Sequence, residues 1–454
     1  MWESKPIGLR HHWSYMNHAV IWQKAWPIIL ANAAVPLLGL ADTAVIGNLG
    51  NLAQLGAIAF GAMIFSFIYW SFGFLRMGTT GFTAQAAGAG DEAEVRATLG
   101  RALLLSAALG AIIILLQWPL ARLALALLDG SAAVESITRD YFSIRIWGAP
   151  ATLSIFALTG CLIGLGRSRQ LLAVQLFLNG LNIALDVLFA GVLGWGVEGI
   201  AVGTVLAEWL TVGMACVLVF SVLRQRRGDS EPFWPWHRIR NAEKALRLMA
   251  ANSDILLRTL LLLFSFAWFT NQSAQFGDAV LGANHILLQL VSFSAFFLDG
   301  YAFVAEALVG EALGAGRRED LRLAVRRSSE LALATALVLA LLILCLGNYA
   351  IGALTDIAPV RAAAADVLPW AALYVLLSVA AFQLDGIFIG ATHTREMRNA
   401  AFGSLAVFML AWWWLTPLFG NAGLWCAFVV FVCARAASLA LYYPGLVRRV
   451  GSRG

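Results

Sequence analysis

The sequence is poor in charge. Of its 454 residues only 13% are Asp, Glu, Lys or Arg, whereas a soluble protein carries about 25%. Hydrophobic residues make up 60%, and the mean hydropathy is +0.78. Apolar runs of about 20 or more residues recur along the chain, which is typical of a polytopic α-helical membrane protein. A transmembrane β-barrel would instead show alternating segments of about ten residues.

Groups suited to metal or redox chemistry are also scarce. The five cysteines fall within apolar runs without metal-ligand spacing, so we expect them to pack and expect no disulfide framework. His237, His285 and His393 are isolated from one another, which excludes the His–carboxylate cluster that metal catalysis requires. We therefore expect no cofactor. The first nineteen residues include charges and Trp13 before any apolar run, so we expect no cleavable signal peptide.

The apolar runs predict an all-α membrane protein with twelve transmembrane helices in two pseudo-symmetric six-helix bundles. The predicted spans are residues 20–46, 55–82, 97–121, 138–164, 169–192, 197–223, 246–273, 281–310, 322–348, 362–390, 397–418 and 423–446. The longest polar segment, a predicted cytoplasmic linker at 224–245, separates an amino-terminal lobe (1–223) from a carboxy-terminal lobe (246–454).

Basic residues are concentrated in alternate loops. They lie near residues 88–96, 166–169, 316–318 and 395–398, in the linker and in the tail. The intervening loops carry almost none. The positive-inside rule therefore predicts a multi-pass protein of the cell inner membrane with both termini in the cytoplasm.

The two halves resemble each other at a fixed offset of 226 residues, the distance from Gly90 to Gly316. The matching segments are 87–96 with 313–322, 55–57 with 281–283, and 160–164 with 386–390. Three matches at one offset indicate a duplication. Because each half has an even number of spans, the repeats are expected to lie parallel around a central cleft, the usual seat of a transported substrate.

One acid, Asp42, lies inside the first apolar run. A carboxylate at membrane depth costs at least ~2.5–3.5 kcal/mol, so such residues usually face a cavity and have a function. Pro36 and Gly39 precede it and could bend the helix or free backbone groups. The alternative is an acid near a helix end that is satisfied by capping or snorkelling.

The fifth span carries Asn179, Asn182 and Asp186 on one helical face, and Thr204 and Glu208 follow in the sixth. Two carboxylates, an amide and a hydroxyl offer hard oxygen ligands for a proton or a small cation such as Na⁺. Hydrogen bonding between helices alone is the other interpretation, above all for Asn179 and Glu208 and less so for Asp186.

The second half differs at the matching place. Residues 411–417 contain no acid in place of Asp186 and are aromatic, so we expect the coupling site in the amino-terminal half. Asp299 and Glu306 share a helical face, and Asp385 lies in the tenth span. These acids could line a polar cavity or hold helices together. Asp254 and Arg258, four residues apart, could neutralise one another, and Tyr141 and Arg145 form a similar polar pair in the fourth span.

Residues 36–47, the Asn182-x-x-x-Asp186 motif and residues 297–310 resemble the multidrug and toxic compound extrusion (MATE) family, in particular its DNA-damage-inducible DinF branch. The resemblance extends over nearly the whole chain. It implies two six-helix lobes forming a V around a central cavity that opens alternately to the two sides.

The resemblance also implies roles for individual residues. Asp42 matches the acid whose protonation or cation binding drives release, Asn182, Asp186 and Thr204 match the polar cluster beside it, and Tyr141 matches a tyrosine of the same pocket. The same four coupling residues could hold Na⁺. The expected substrate-cavity residues are Asn179, Tyr141, Pro36, Asp299, Glu306 and Asp385.

The expected function is an antiporter that exports organic, often cationic or amphipathic compounds in exchange for inward H⁺ or Na⁺. We expect H⁺, a monomer in the lipid bilayer, and no nucleic-acid partner. One alternative, a flippase for a lipid-linked precursor, favours a strongly basic cavity, but the spans hold few arginines near their middle. The other, a membrane-embedded transferase, calls for a His–carboxylate or paired-acid site with a sizeable loop.

Overall fold

The computed structural model describes residues 17–49, 51–127 and 131–449, and within them the chain is helical without a strand. The helices are α1 (His18–Leu49), α2 (Leu52–Ser71), α3 (Phe74–Gly88), α4 (Glu92–Leu115), α5 (Gln117–Ala126), α6 (Ala132–Arg145), α7 (Ala149–Gly164), α8 (Ser168–Asp186), α9 (Gly196–Arg226), α10 (Trp236–Ile239), α11 (Ala242–Ala274), α12 (Asp278–Gly314), α13 (Arg318–Leu354), α14 (Ala358–Gly390) and α15 (Thr394–Arg449).

Ten helical segments of the described chain are long and apolar enough to cross a membrane. α2 with α3 forms one such segment, and α6 with α7 forms another. The last segment contains two helices joined at Gly420, whose φ of 59° interrupts α15 three residues after Pro417. With α15 taken as two arms and the 32-residue α1 added, the helices match the twelve predicted spans.

The duplication is visible in the backbone. A left-handed turn interrupts the chain at equivalent positions of the two halves, each pair separated by the same 226 residues. The pairs are Gly90 and Gly316, Gly166 and Thr392, and Gly194 and Gly420. Glycine favours this conformation because it has no Cβ. The kink in α15 is therefore the counterpart of the turn between α8 and α9, kept inside a longer helical run.

Close helix packing also recurs in both halves. A Cβ built on Gly160 would lie 2.5 Å from the carbonyl oxygen of Arg76, and one on Gly164 would lie 2.7 Å from that of Thr80. Their counterparts Gly386 and Gly390 meet the backbone of α12 as closely. Small residues four apart let membrane helices approach backbone to backbone. The repeated glycines thus fix α7 on α3 and α14 on α12.

The chain divides into two compact units. The amino-terminal unit comprises residues 30–87 and 91–252. The carboxy-terminal unit comprises residues 253 onward together with 88–90 and α1 as far as Ile29. The division falls inside α1 and α11, and the predicted linker, 224–245, lies wholly within the amino-terminal unit. The predicted lobe limits stay a prediction.

The linker packs on the amino-terminal end of α4. Arg96 donates from Nε to the carbonyl oxygen of Phe233 at 2.9 Å and from Nη2 to Asp229 at 2.7 Å. Arg101 donates to the carbonyl oxygens of Arg238 and Ile239 at 2.6 and 3.3 Å. The hydrogen bond from Arg96 holds the pKa of Asp229 below its usual value of 3.8. Buried arginines of α4 therefore satisfy the backbone of the linker.

The core of the carboxy-terminal unit is aromatic. Phe428 lies at its centre, 4.6 Å between ring centroids from both Phe269 and Tyr374, and Trp425 packs edge-on to Phe269 at 4.9 Å. Asn284 accepts a hydrogen bond from the Trp425 indole N–H at 2.9 Å. The polar edge of this buried ring is thereby satisfied, as aromatic packing in an apolar core requires.

Candidate functional site

The polar stripe of α8 is buried in the amino-terminal unit. Asn179, Asn182 and Asp186 lie on one face with exposures of 6%, 0% and 0%. α8 ends at Asp186 and continues as a π-helical turn from Val187 to Val192. Such turns are rare and often mark functional sites.

Glycine on α9 leaves room for the Asp186 side chain. A Cβ built on Gly203 would lie 2.6 Å from Asp186 Oδ1, closer than real Cβ contacts allow. The carboxylate therefore rests directly against the backbone of α9. Any larger residue at position 203 would displace it.

Asp42 of α1 faces this carboxylate. The two carboxyl groups approach within hydrogen-bonding range of one another. Asp42 Oδ1 and both oxygens of Asp186 are buried, and no group in the described part of the chain donates to them. We call Asp42 and Asp186 the acid pair. A single proton held between the two groups would satisfy both.

Asn182 and Thr204 stand beside the acid pair in a fixed orientation. The Thr204 hydroxyl donates to the carbonyl oxygen of Ile200 at 2.9 Å and accepts from Asn182 Nδ2 at 2.9 Å. Asn182 Oδ1 is consequently left as an acceptor, and it too is buried without a donor among the described residues. The sequence predicted that these four residues cluster, and the structure brings them together.

The site contains four buried acceptor oxygens that lack a donor in the described chain: one of Asp42, two of Asp186 and one of Asn182. An unmade hydrogen bond of a buried polar atom costs about 1–3 kcal/mol, and more for a charged group. A proton or a small hard cation supplies what these oxygens lack. The cluster is therefore chemically suited to a coupling ion.

Asn179 has a different role in this arrangement. Its Nδ2 donates to the carbonyl oxygen of Ala34 at 2.8 Å, and its Oδ1 accepts from Gln175 at 3.0 Å. It therefore ties α8 to α1 two residues before Pro36, which is itself exposed. The predicted cavity roles of Asn179 and Pro36 stay predictions.

Sequence reasoning missed an ion pair next to the acid pair. Arg145 Nη1 and Nη2 lie 2.8 and 2.7 Å from the two carboxylate oxygens of Glu208, and both side chains are buried. The guanidinium also packs 5.1 Å from the ring centroid of Phe65 and 5.4 Å from that of Tyr69. Both Glu208 oxygens are engaged by Arg145, so Glu208 balances this charge. No spacing in the sequence connects residues 63 apart.

Tyr141 packs into the same region. It is 4% exposed, and its ring fits against Gly61, where a Cβ would lie 2.5 Å from Tyr141 Cε1. The side chain is within electrostatic reach of both members of the acid pair. The structure thus places Tyr141 beside the predicted coupling residues.

The acids of the carboxy-terminal unit have partners that the sequence did not predict. Asp254 accepts from Arg398 at 2.8 Å and from Thr394 at 3.0 Å, whereas Arg258 donates to Asp385. The expectation that Asp254 and Arg258 neutralise one another is therefore wrong: their partners come from other helices.

Asp385 is held by two arginines, since Arg435 also donates to it at 2.6 Å. Three helices, α11, α14 and α15, are joined through this one carboxylate. Glu306 is 1% exposed, and Asp299 is half-buried. The cavity roles of Asp385, Glu306 and Asp299 stay predictions, and the geometry of Asp385 favours holding helices together.

A cavity of about 410 Å³ lies within the carboxy-terminal unit between α11 and α12. Its polar lining consists of Thr270, Ser273, Asp278, Asn284 and His285. The acid pair belongs to the other unit and does not contribute to it. In the described residues no group of three or more His, Cys, Asp or Glu could hold a metal ion.

The fold and the buried polar cluster define a multi-pass membrane transporter built from a duplicated helical bundle. The chain belongs to the MatE family, which matches residues 27–188 and 255–415. Members of this family are multidrug or toxic-compound efflux transporters, and the protein is not an enzyme. The predicted family, fold class and class of protein are confirmed.

Relatives and solved structures agree with this assignment. The chain is 38% identical to DNA damage-inducible protein F of Escherichia coli (strain K12), over 92% of this chain and 90% of that one. It is 28% identical to the probable multidrug resistance protein NorM of Deinococcus radiodurans, over 86% of this chain and 84% of that one. The Vibrio cholerae MATE transporter VcmN in the bent form superposes with a TM-score of 0.85 at 20% identity, over 95% of this chain and 97% of that one.

Proposed function

We propose that this protein exports organic compounds in exchange for inward H⁺, and that the acid pair takes up the coupling proton. The observation that carries the proposal is the set of four buried acceptor oxygens on Asp42, Asp186 and Asn182 for which the described chain supplies no donor. Compounds of this kind are also indicated by the relative named as a multidrug resistance protein.

A proton fits this site better than Na⁺ does. Two carboxylates in contact repel each other strongly at low dielectric, and one shared proton removes the repulsion while forming a hydrogen bond. The opposite charge nearest to them, Arg145, is already balanced by Glu208. Na⁺ binding at Asp42, Asn182, Asp186 and Thr204 is the alternative, and the experiment below separates the two ions.

The coupling step follows from where the acid pair sits. Asp42 is on α1 and Asp186 on α8, so gaining or losing the shared proton changes how these two helices contact each other. Asn179 links the same helices at Ala34, close to Pro36, where α1 lacks a backbone donor. Repacking of α1 at this point would expel substrate. Each proton that moves inward contributes about 2.3 kcal/mol per 100 mV of membrane potential.

In the membrane we place the protein as a monomer of the cell inner membrane with both termini in the cytoplasm. The distribution of basic loops supports this orientation, since the docked linker and the turn at Gly316 carry arginines. Cysteine substitution of exposed loop residues, followed by labelling with a membrane-impermeant thiol reagent, would test it.

Transport in proteoliposomes tests the proposal. Ethidium movement is measured with a pH gradient and a Na⁺ gradient imposed separately, for the natural protein and for Asp42→Asn. We expect the pH gradient alone to drive transport, and we expect Asp42→Asn to abolish it while the protein still inserts. Asp356→Asn is the matched control because Asp356 is fully exposed in the loop before α14. Full gradient-driven transport by Asp42→Asn would contradict the assignment of the acid pair. Transport driven by a Na⁺ gradient alone would show that the coupling ion is Na⁺ and not H⁺.

A further inference from the structure

The carboxy-terminal unit has its own counterpart of the acid pair. Trp268 follows Asp42, and Trp412 follows Asp186, by the same 226 residues that relate Gly90 to Gly316. In the structure Trp268 and Trp412 are also in contact, with ring centroids 4.9 Å apart and planes at 87°. The duplicated fold therefore brings together the same two positions in each unit. We call Trp268 and Trp412 the tryptophan pair.

Both indole N–H groups of the tryptophan pair are buried, and neither finds a hydrogen-bond acceptor among the described residues. The hydroxyl of Thr416, one helical turn after Trp412, is also buried without a hydrogen-bond partner among the described residues. Buried polar groups in native proteins are nearly always paired, so an unpaired group calls for an explanation. Three such groups along one helical turn and its neighbour indicate a place where hydrogen-bond partners come from outside the chain.

A third buried tryptophan of this unit has its indole N–H satisfied within the chain. Trp425, fully buried in the same unit, donates its indole N–H to Asn284 at 2.9 Å. The tryptophan pair departs from this pattern.

We propose that the tryptophan pair, with Thr416, is a binding subsite for a planar aromatic compound that carries a hydrogen-bond acceptor. The two half-buried indoles offer ring surface for stacking, and their N–H groups are donors for a carbonyl or similar oxygen. This inference rests on the proposed export of organic compounds and assigns substrate recognition to the carboxy-terminal unit. The two equivalent pairs of positions then have different functions: the acid pair binds the coupling ion, and the tryptophan pair binds the substrate.

Binding of acridone to the purified protein in nanodiscs tests the subsite. Acridone is planar, fluorescent and neutral, and it has one carbonyl acceptor, so its fluorescence anisotropy reports binding directly. Trp268→Phe and Trp412→Phe keep an aromatic ring but remove the N–H, and we expect each to raise the Kd about tenfold. Thr416→Val, which has nearly the same shape, is expected to raise it by a smaller factor.

Trp413→Phe and Trp414→Phe are the matched controls, since these neighbours on the same helix are 70% and 68% exposed. They should bind acridone as the natural protein does. If the natural protein does not bind acridone, or if Trp268→Phe, Trp412→Phe and Thr416→Val all bind within twofold of it, the inference is overturned. Ethidium transport driven by a pH gradient is measured separately, so loss of the subsite and loss of the proposed function give different results.

Discussion

The two units have the same backbone plan but opposite chemistry at the same pair of positions. In the amino-terminal unit Asp42 meets Asp186, and in the carboxy-terminal unit Trp268 meets Trp412. Among the residues that the structure describes, the first pair has buried acceptors without donors, and the second pair has buried donors without acceptors. Duplication thus preserved the contact between two helices while its chemistry diverged.

The comparison shows which residues the architecture holds fixed. The glycines that permit backbone contact, Gly160 and Gly164, recur as Gly386 and Gly390 because no side chain fits there in either half. Four experiments test whether the two units are equivalent in this way, and the most severe change comes first.

Removing one acid should affect the amino-terminal unit most severely. Asp186→Asn keeps the shape of the side chain but removes the shared proton site, so we expect gradient-driven ethidium transport to fall to background in proteoliposomes. Acridone binding should be retained because it is assigned to the other unit. A variant that still couples transport to the pH gradient would remove Asp186 from the proposed site.

Breaking the buried ion pair should destabilise the amino-terminal unit. Arg145→Met leaves Glu208 as an uncompensated buried charge, which typically costs about 3–5 kcal/mol. We expect a marked fall in the thermal unfolding temperature in detergent. The double variant Arg145→Met with Glu208→Leu should recover much of the loss, because both charges are then gone. Equal stability of the single and double variants would show that Arg145 does not neutralise the buried charge of Glu208.

Filling the glycine contacts should destabilise both halves to a similar extent. Gly160→Ala and Gly386→Ala each force a methyl group against a backbone carbonyl, and overpacking of this kind costs about 1–3 kcal/mol. Thermal unfolding of the two variants measures the effect. Gly180→Ala is the control, since a Cβ there meets nothing within 4 Å. A loss confined to one half would mean that the two helix contacts are not equivalent.

The smallest effect concerns the docked linker, which contacts α4 of the amino-terminal unit. Arg96 lowers the pKa of Asp229 in the folded protein. The ionised carboxylate therefore stabilises the folded state at pH values above 3.8, the usual pKa of the group. That contribution is lost as the pH falls through the lower, folded pKa. Asp229→Asn should therefore flatten the decline in unfolding temperature as the pH falls below 3.8. An unchanged acid profile would mean that this ion pair does not stabilise the folded state.

Several parts of the site were predictable because they depend on local periodicity. Asn182 and Asp186 are four residues apart, so any helix places them on one face. Thr204 was expected near them from its depth in the sixth span, and Asp42 joined them through the family resemblance. Arg145 with Glu208 was not predictable, because which of several buried charges meet depends on the angle and depth at which α6 and α9 pack.

The membrane class, the spans and the polar face of α8 follow from the sequence, because hydrophobic length and helical period are properties of contiguous residues. The duplication follows from the sequence as well, because its segments repeat at one fixed offset. The packing of the helices established that Asp385 bridges Arg258 and Arg435, that Asp254 pairs with Arg398 instead of Arg258, and that Trp268 contacts Trp412. Those pairings arise between helices distant in the chain, where packing geometry selects the partner.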